Sequence, residues 1–270
     1  MRKYLSPIIV ILIASVILLG ACGGSTPAAA ESLTLQAGGL TIKELVYSKA
    51  LDEKQGPIDP GNQFEPLDTI YLTVTFKGRP KEGLVLGKAY WKDQFIAEAT
   101  INLADVNSGL LFSIGSDTYA FFNLTPSQQL PISKNYRFEI FVNDEKLGDF
   151  PFAVVPPANA IETKVESAVL AKGLDENFNP IEPSKTFAYD EDVFFVALGP
   201  TGIYSWFAMQ WVINDEVYDF CYRDIIFYDN YEDNGFYFTC LPEGGWPIGS
   251  HEAVLYFNDE EIGRYPFTIQ

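Results

Sequence analysis

The chain has 270 residues and is strongly acidic, with 36 Asp and Glu against 18 Lys and Arg and a formal net charge of −18. Such a balance offers nothing to neutralise phosphates, which excludes nucleic acid as a partner. One histidine, His251, and one methionine beyond Met1, Met209, are too few for a zinc or copper centre and leave a single base for any Ser-His-Asp scheme.

At the N-terminus, Arg2 and Lys3 precede the apolar run IIVILIASVILL, residues Ile8 to Leu19. That length suits a signal-peptide core and is short for a membrane span. Leu19-Gly20-Ala21-Cys22 follows, with small residues directly before a cysteine. The segment resembles the lipobox of bacterial lipoproteins. The resemblance implies that residues 1–21 are a cleaved signal peptide and that Cys22 is lipidated on sulfur and becomes the mature N-terminus. It also implies a protein held by that lipid to a membrane of the bacterial cell envelope, outside the cytoplasm. The competing reading is an uncleaved anchor helix with an incidental cysteine. Residues 22–38, with GGSTPAAAES after the cysteine, read as a flexible tether. In that compartment nicotinamide- or ATP-dependent chemistry is not expected, and no Gly-rich phosphate loop is present. No cofactor is expected.

The next elements come in pairs. LDEKQGPIDP (Leu51 to Pro60) returns as LDENFNPIEP (Leu174 to Pro183), and VNDEKLGDFPF (Val142 to Phe152) returns as FNDEEIGRYPF (Phe257 to Phe267). The offsets are 123 and 115, so the second copy is eight residues shorter in its middle. Between the copies, Pro156-Pro157-Ala158-Asn159-Ala160 reads as a linker. The predicted boundaries are 39–155 for the first domain, 156–160 for the linker and 161–270 for the second domain. Each copy is long enough to bury its own core.

Within each copy the hydrophobic period is two. Ile70, Leu72, Val74 and Phe76 alternate with Tyr71, Thr73 and Thr75, and Tyr136, Phe138, Ile140 and Val142 alternate with Arg137 and Glu139. This is the mark of half-buried strands. Turn clusters recur at short intervals, and no long helical stripe appears after the leader. Asn143-Asp144 and Asn258-Asp259 are hairpin turns, Gly148 and Gly263 sit where a bulge is expected, and Pro151 and Pro266 call for an edge-facing position. The pattern is all-β. It resembles two tandem immunoglobulin-like or fibronectin-type antiparallel sandwiches, a resemblance that identifies a fold and no function.

Aligning the copies tests single residues. Trp211 falls opposite Ala89 and Trp91 opposite Ile213, on one strand face, so both tryptophans read as core. Trp246 falls opposite Leu130 and reads as a core plug. His251 falls opposite Tyr136, which gives it a structural role. No nucleophile motif accompanies it, no pair of carboxylates stands out for sugar hydrolysis, and the chain is read as a non-enzyme.

Charge separates the copies. Residues 35–155 carry 15 acids and 11 bases, a net of −4, whereas residues 160–270 carry 20 acids and 5 bases, a net of −15. The second copy is also rich in aromatics. Tyr204 and Trp206 follow the turn Gly199-Pro200-Thr201-Gly202, and Tyr228 and Tyr231 flank Asp229, with Glu232 and Asp233 beside them. These seven residues are the predicted ligand surface, solvent-facing on the second domain. Aromatics beside carboxylates suit a glycan or a basic protein partner. The alternative is a structural spacer lipoprotein without a specific ligand. Asn230, Glu232, Asn234 and Gly235 match the first half of an EF-hand-like loop, but Leu241 stands where the closing Glu belongs, and no metal site is assigned.

Last come the two remaining cysteines. Cys221 aligns with Ala99 and Cys240 with Leu124, so a repeated fold would bring them together as a disulfide where the first copy has an Ala-Leu contact. Two free buried thiols are the alternative. A hairpin turning near Asn230 and Tyr231 would place the cysteines opposite each other.

Overall fold

A computed structural model describes residues 35–53, 55–105 and 109–270; Cys22, the leader and residues 22–34 of the predicted tether lie outside the described residues. The described chain is all-β, with twenty strands and no helix. The first copy contains β1 (Leu35–Ala37), β2 (Leu40–Leu51), β3 (Pro57–Pro60), β4 (Gln63–Phe64), β5 (Ile70–Phe76), β6 (Leu84–Trp91), β7 (Gln94–Asn102), β8 (Leu111–Ile114), β9 (Asp117–Leu124), β10 (Ser133–Val142) and β11 (Glu145–Val154). The second contains β12 (Ser167–Leu174), β13 (Pro180–Pro183), β14 (Thr186–Phe187), β15 (Val193–Leu198), β16 (Trp206–Ile213), β17 (Glu216–Ile226), β18 (Gly235–Cys240), β19 (Gly249–Phe257) and β20 (Glu260–Ile269).

These strands make four sheets that enclose two cores. In the first copy, β1-β2-β5-β9-β8, with β3 on β2, faces β4-β11-β10-β6-β7. In the second, β13-β12-β15-β18 faces β14-β20-β19-β16-β17. Each face-to-face pair buries one continuous apolar cluster, so the molecule is two β-sandwiches in tandem. The ladders repeat residue for residue: Tyr47 pairs with Leu72 and Leu170 with Phe195, at the same offset of 123. The two short segments β4 and β14 each add to the second sheet in parallel, so β3–β4 and β13–β14 cross from one sheet to the other along the flank.

Local chemistry explains the turns. Asn143, Asp144, Asn258 and Asp259 all have positive φ, between 44° and 76°, and so do Asn214 and Asp215 of a third such turn. Asn and Asp tolerate this left-handed backbone better than other side chains. The bulge falls one residue before the predicted glycines, at Leu147 and Ile262. Pro151 and Pro266 lie on the outer edge of their strands, where β4 and β14 do not reach.

One correction concerns a boundary. Leu35–Ala37 of the predicted tether is strand β1, paired to β2 through the Gly38-Gly39 turn. The turn docks on the first copy's own repeated hairpin: Gly38 N–H donates to Glu145 Oε2 at 2.7 Å, and Asn143 Nδ2 donates to the Gly38 carbonyl at 2.7 Å. A side chain at position 38 would collide with the Val142 carbonyl, 2.4 Å from an ideal Cβ. At the other boundary, β12 begins at Ser167, and residues 161–166 run alongside the second sandwich, with Lys164 and Glu166 N–H groups donating to the carbonyls of Pro200 and Leu198.

The cores differ in how they fill the same lattice. Across three strands, the inward row Tyr47-Leu72-Phe122 becomes Leu170-Phe195-Phe238. The next row, Leu45-Val74-Ala120, becomes Ala168-Ala197-Phe236. In the first sandwich Leu111 of β8 covers Ala120; the shorter second copy has no strand there, and Phe236 supplies the bulk. On the opposite sheet the partners Ala89 and Phe138 become Trp211 and Ala253. Trp211 is fully buried against Trp246 and Phe267.

Candidate functional site

The predicted ligand residues converge, but at the junction between the sandwiches. Trp206, the first residue of β16, is only 7% exposed. Its ring meets Trp91 of the first sandwich edge-on at 5.6 Å, and its indole N–H donates to Asp224 Oδ2 at 2.9 Å. Tyr204, held at φ +64° by its N–H bond to the Phe227 carbonyl, packs against the first core. Tyr228 is 61% exposed, yet its hydroxyl accepts from Gln129 Nε2 of the first sandwich at 2.9 Å. Tyr231 is bridged to Thr201 by backbone bonds and rests against Phe227. The prediction of a solvent-facing surface built on all four aromatics is therefore corrected. Two of them seal the junction; Tyr228, Tyr231, Asp229, Glu232 and Asp233 are exposed beside it.

The acidic loop is tied down by its amides. Asn230 Oδ1 accepts from Ile161 and Ile203 N–H at 3.1 and 2.9 Å, and its Nδ2 donates to the Asn159 carbonyl at 2.9 Å. Asn234 Nδ2 donates to Thr201 Oγ1 at 2.8 Å. Both side chains of the EF-hand-like spacing that carry amides thus brace the linker and the neighbouring turn.

Across the junction the strongest fixture is Asp259, in the repeated hairpin turn. Its side chain is 1% exposed. Oδ1 faces the Lys92 ammonium, while Oδ2 accepts from Ser133 Oγ at 3.1 Å and Asn135 Nδ2 at 2.8 Å. Burial draws Lys92 below the ordinary lysine range, against the pull of the carboxylate beside it. Lys134 adds a solvent-exposed pair with Glu260 at 3.1 Å. Sequence reasoning placed Asp259 in a turn and missed this role. Its counterpart Asp144 is exposed, and the repeat held the signal: one hairpin, two different neighbours.

The cysteines are joined as predicted: Cys221 and Cys240 form a disulfide with Cα atoms 5.5 Å apart. The bond links β17 to β18, the edge strands of the two facing sheets. Cys240 and Leu124 are equivalent, each paired with the first residue of the preceding core strand, Val193 or Ile70. Cys221 is two positions off its predicted match. Met209 pairs with Arg223 where Gly87 pairs with Ala99, because β17 bulges between Tyr218 and Arg223. That bulge turns Cys221 inward. The two cysteines are not opposite each other across a simple hairpin; they join separate sheets.

His251 also has the role its alignment implied. Tyr136 Oη donates to the Pro131 carbonyl at 2.8 Å, and His251 Nε2 makes the same bond to the Pro247 carbonyl at 2.7 Å. A carbonyl acceptor fixes the proton on Nε2.

The chain matches no family model and no curated protein. Among solved structures it is similar to the crystal structure of red sea bream transglutaminase, at 8% identity and a TM-score of 0.25, over 87% of this chain and 32% of that one. This chain thus spans about a third of that protein, and a likeness at this score carries no argument about chemistry.

Proposed function

We propose that the chain is an extracytoplasmic binding protein, tethered through lipidated Cys22, whose second sandwich takes a basic protein partner at the end turned away from the junction. The observation that carries this reading is Ile248. Its counterpart in the first sandwich, Ile132, is 6% exposed, whereas Ile248 is 75% exposed. Trp246 backbone N–H, two residues before it, donates to the Tyr189 carbonyl and Gly249, one residue after it, lies beside Asn214, so the adjoining loops bring exposed Tyr189, Asp190, Asp215 and Glu243 to this end. An exposed apolar group ringed by carboxylates fits a cationic protein surface. The equivalent end of the first sandwich already serves as a docking face, with Trp91, Lys92, Ser133 and Asn135 receiving the second. A glycan platform at the junction loses support, because Trp206 and Tyr204 are used within the chain.

Photocrosslinking in the cells that make the protein tests this. A photoreactive residue at position 248 should give a discrete protein adduct that Asp190→Lys and Glu243→Lys abolish; the same residue at exposed Ile58 should not. The spacer reading is favoured by the buried Asp259 joint, which stiffens the molecule. Adducts absent from position 248 while Cys22 is lipidated would establish the spacer and end the binding reading.

A further inference from the structure

The geometry points to a small-molecule site in the flank of the second sandwich, shaped for an apolar ring that carries a carboxylate. The site is a cavity of about 380 Å³ between β12, the β13–β14 crossover and β20. Ala168, Leu170 and the Tyr265 ring are its apolar lining, and Ser184, Lys185 and Arg264 are its polar rim. Its volume lies in the usual range for ligand pockets, from about 300 Å³ upward. A dry cavity of about 150 Å³ holds one benzene ring, so this one holds a ring with a short polar arm.

The first sandwich shows why the cavity exists. The same lattice positions there carry Leu45 and Tyr47, and Tyr47 is wedged among Phe64, Phe138 and Phe152 with its hydroxyl donating to the Phe150 carbonyl at 2.6 Å. In the second sandwich both inward residues of the outer strand shrink, to Ala168 and Leu170. The bulk moves inward, to Phe195 and Phe236, away from β12. Nothing on β12 replaces what left, and the flank opens.

The rim selects charge. The second copy has only five basic residues, and two of them, Lys185 and Arg264, stand at this mouth. Arg264 is held by Glu252 and Glu261 at 2.8 to 2.9 Å, which leaves it little net charge to offer. Lys185 makes no ion pair among the described residues and is exposed at the rim. In a domain otherwise lined with acids, it is the group that would receive a ligand carboxylate, while the ring enters between Leu170 and Tyr265. The site stands apart from the protein-binding end proposed above.

The test uses the full chain in lipid nanodiscs, with empty nanodiscs as the blank, and 4-fluorophenylacetate followed by ¹⁹F relaxation. Saturable binding in the millimolar range or tighter is expected, as befits a ligand of this size. Ala168→Leu with Leu170→Tyr installs the residues of the first sandwich and should weaken binding at least tenfold. Lys185→Ala, on the surface and neutral for folding, should weaken the carboxylate and leave 4-fluorobenzyl alcohol unchanged. No saturable binding above the blank, or unchanged affinity in the filled variant, would overturn the site. Equal affinity of the native chain for the alcohol and the carboxylate would overturn the assignment of Lys185.

Discussion

The two sandwiches share a ladder and differ in where they keep their aromatics. Tyr47, Phe138 and Trp91 in the first correspond to Leu170, Ala253 and Ile213 in the second, which places its bulk in Phe195, Trp211 and Phe236 instead. Most main-sheet pairings keep their register despite these exchanges, and the edge pair β16–β17 departs from it by two residues at Met209, where β17 bulges. The lesson is that the fold is held by register and by the volume of each layer, and single positions trade freely within a layer. What does not trade is the edge: one copy adds strand β8 over its sheet, and the other staples β17 to β18 with a disulfide.

The comparison is most easily broken at Trp211. Trp211→Ala should cost about 3–5 kcal/mol of the second sandwich's stability in urea unfolding. Adding Ala253→Phe, the first copy's arrangement, should recover at least half; no recovery would show that the layers are not interchangeable. Next comes the disulfide. Replacing Cys221 and Cys240 by Ala and Leu should lower the second sandwich by about 3 kcal/mol, the scale for a loop of this length, and leave the first unmoved. If reduction by dithiothreitol does not shift the second transition alone, the edge argument fails. Asp259→Ala should cost about 1–3 kcal/mol through the unpaired donors it leaves at the joint. It should also broaden the distance distribution between spin labels on the two sandwiches. Asp144→Ala, at the same place in the exposed hairpin, should stay within about 0.5 kcal/mol. The smallest effect is expected for His251→Tyr, under about 1 kcal/mol, because Tyr136 already shows that a tyrosine makes this bond; His251→Phe, which leaves the Pro247 carbonyl without its donor, should cost more.

Much of this was legible in the sequence for a physical reason. Alternation reports burial on one strand, and a repeat reports it twice, so the all-β fold, the Trp211 core and the Cys221–Cys240 bond could be read from one chain. The candidate surface was misread because burial at a joint comes from another domain and leaves no period in the strand. Trp206, four residues after Gly202, looks the same whether water or Trp91 covers it. β1 was hidden because three residues before a Gly-Gly turn carry too little pattern. The flank cavity was invisible for a different reason: it is defined by missing volume, and Leu170 alone looks like an ordinary core residue.

The joint at Asp259 has a direction, and direction governs growth. A head that receives and a tail that inserts make a heterologous contact, which does not close on itself and would propagate as a filament if every copy carried both halves. Here the two outer ends differ from the two that are joined. In the hairpin of the first sandwich the Gly38 turn takes up Asn143 and Glu145, while Asp144, the counterpart of Asp259, stays exposed. The head of the second has Ile213, Asn214 and Ser250 where the first has Trp91, Lys92 and Asn135. Two copies of one fold thus carry different residues at the faces this joint uses, and its directionality rests on those few exchanged positions.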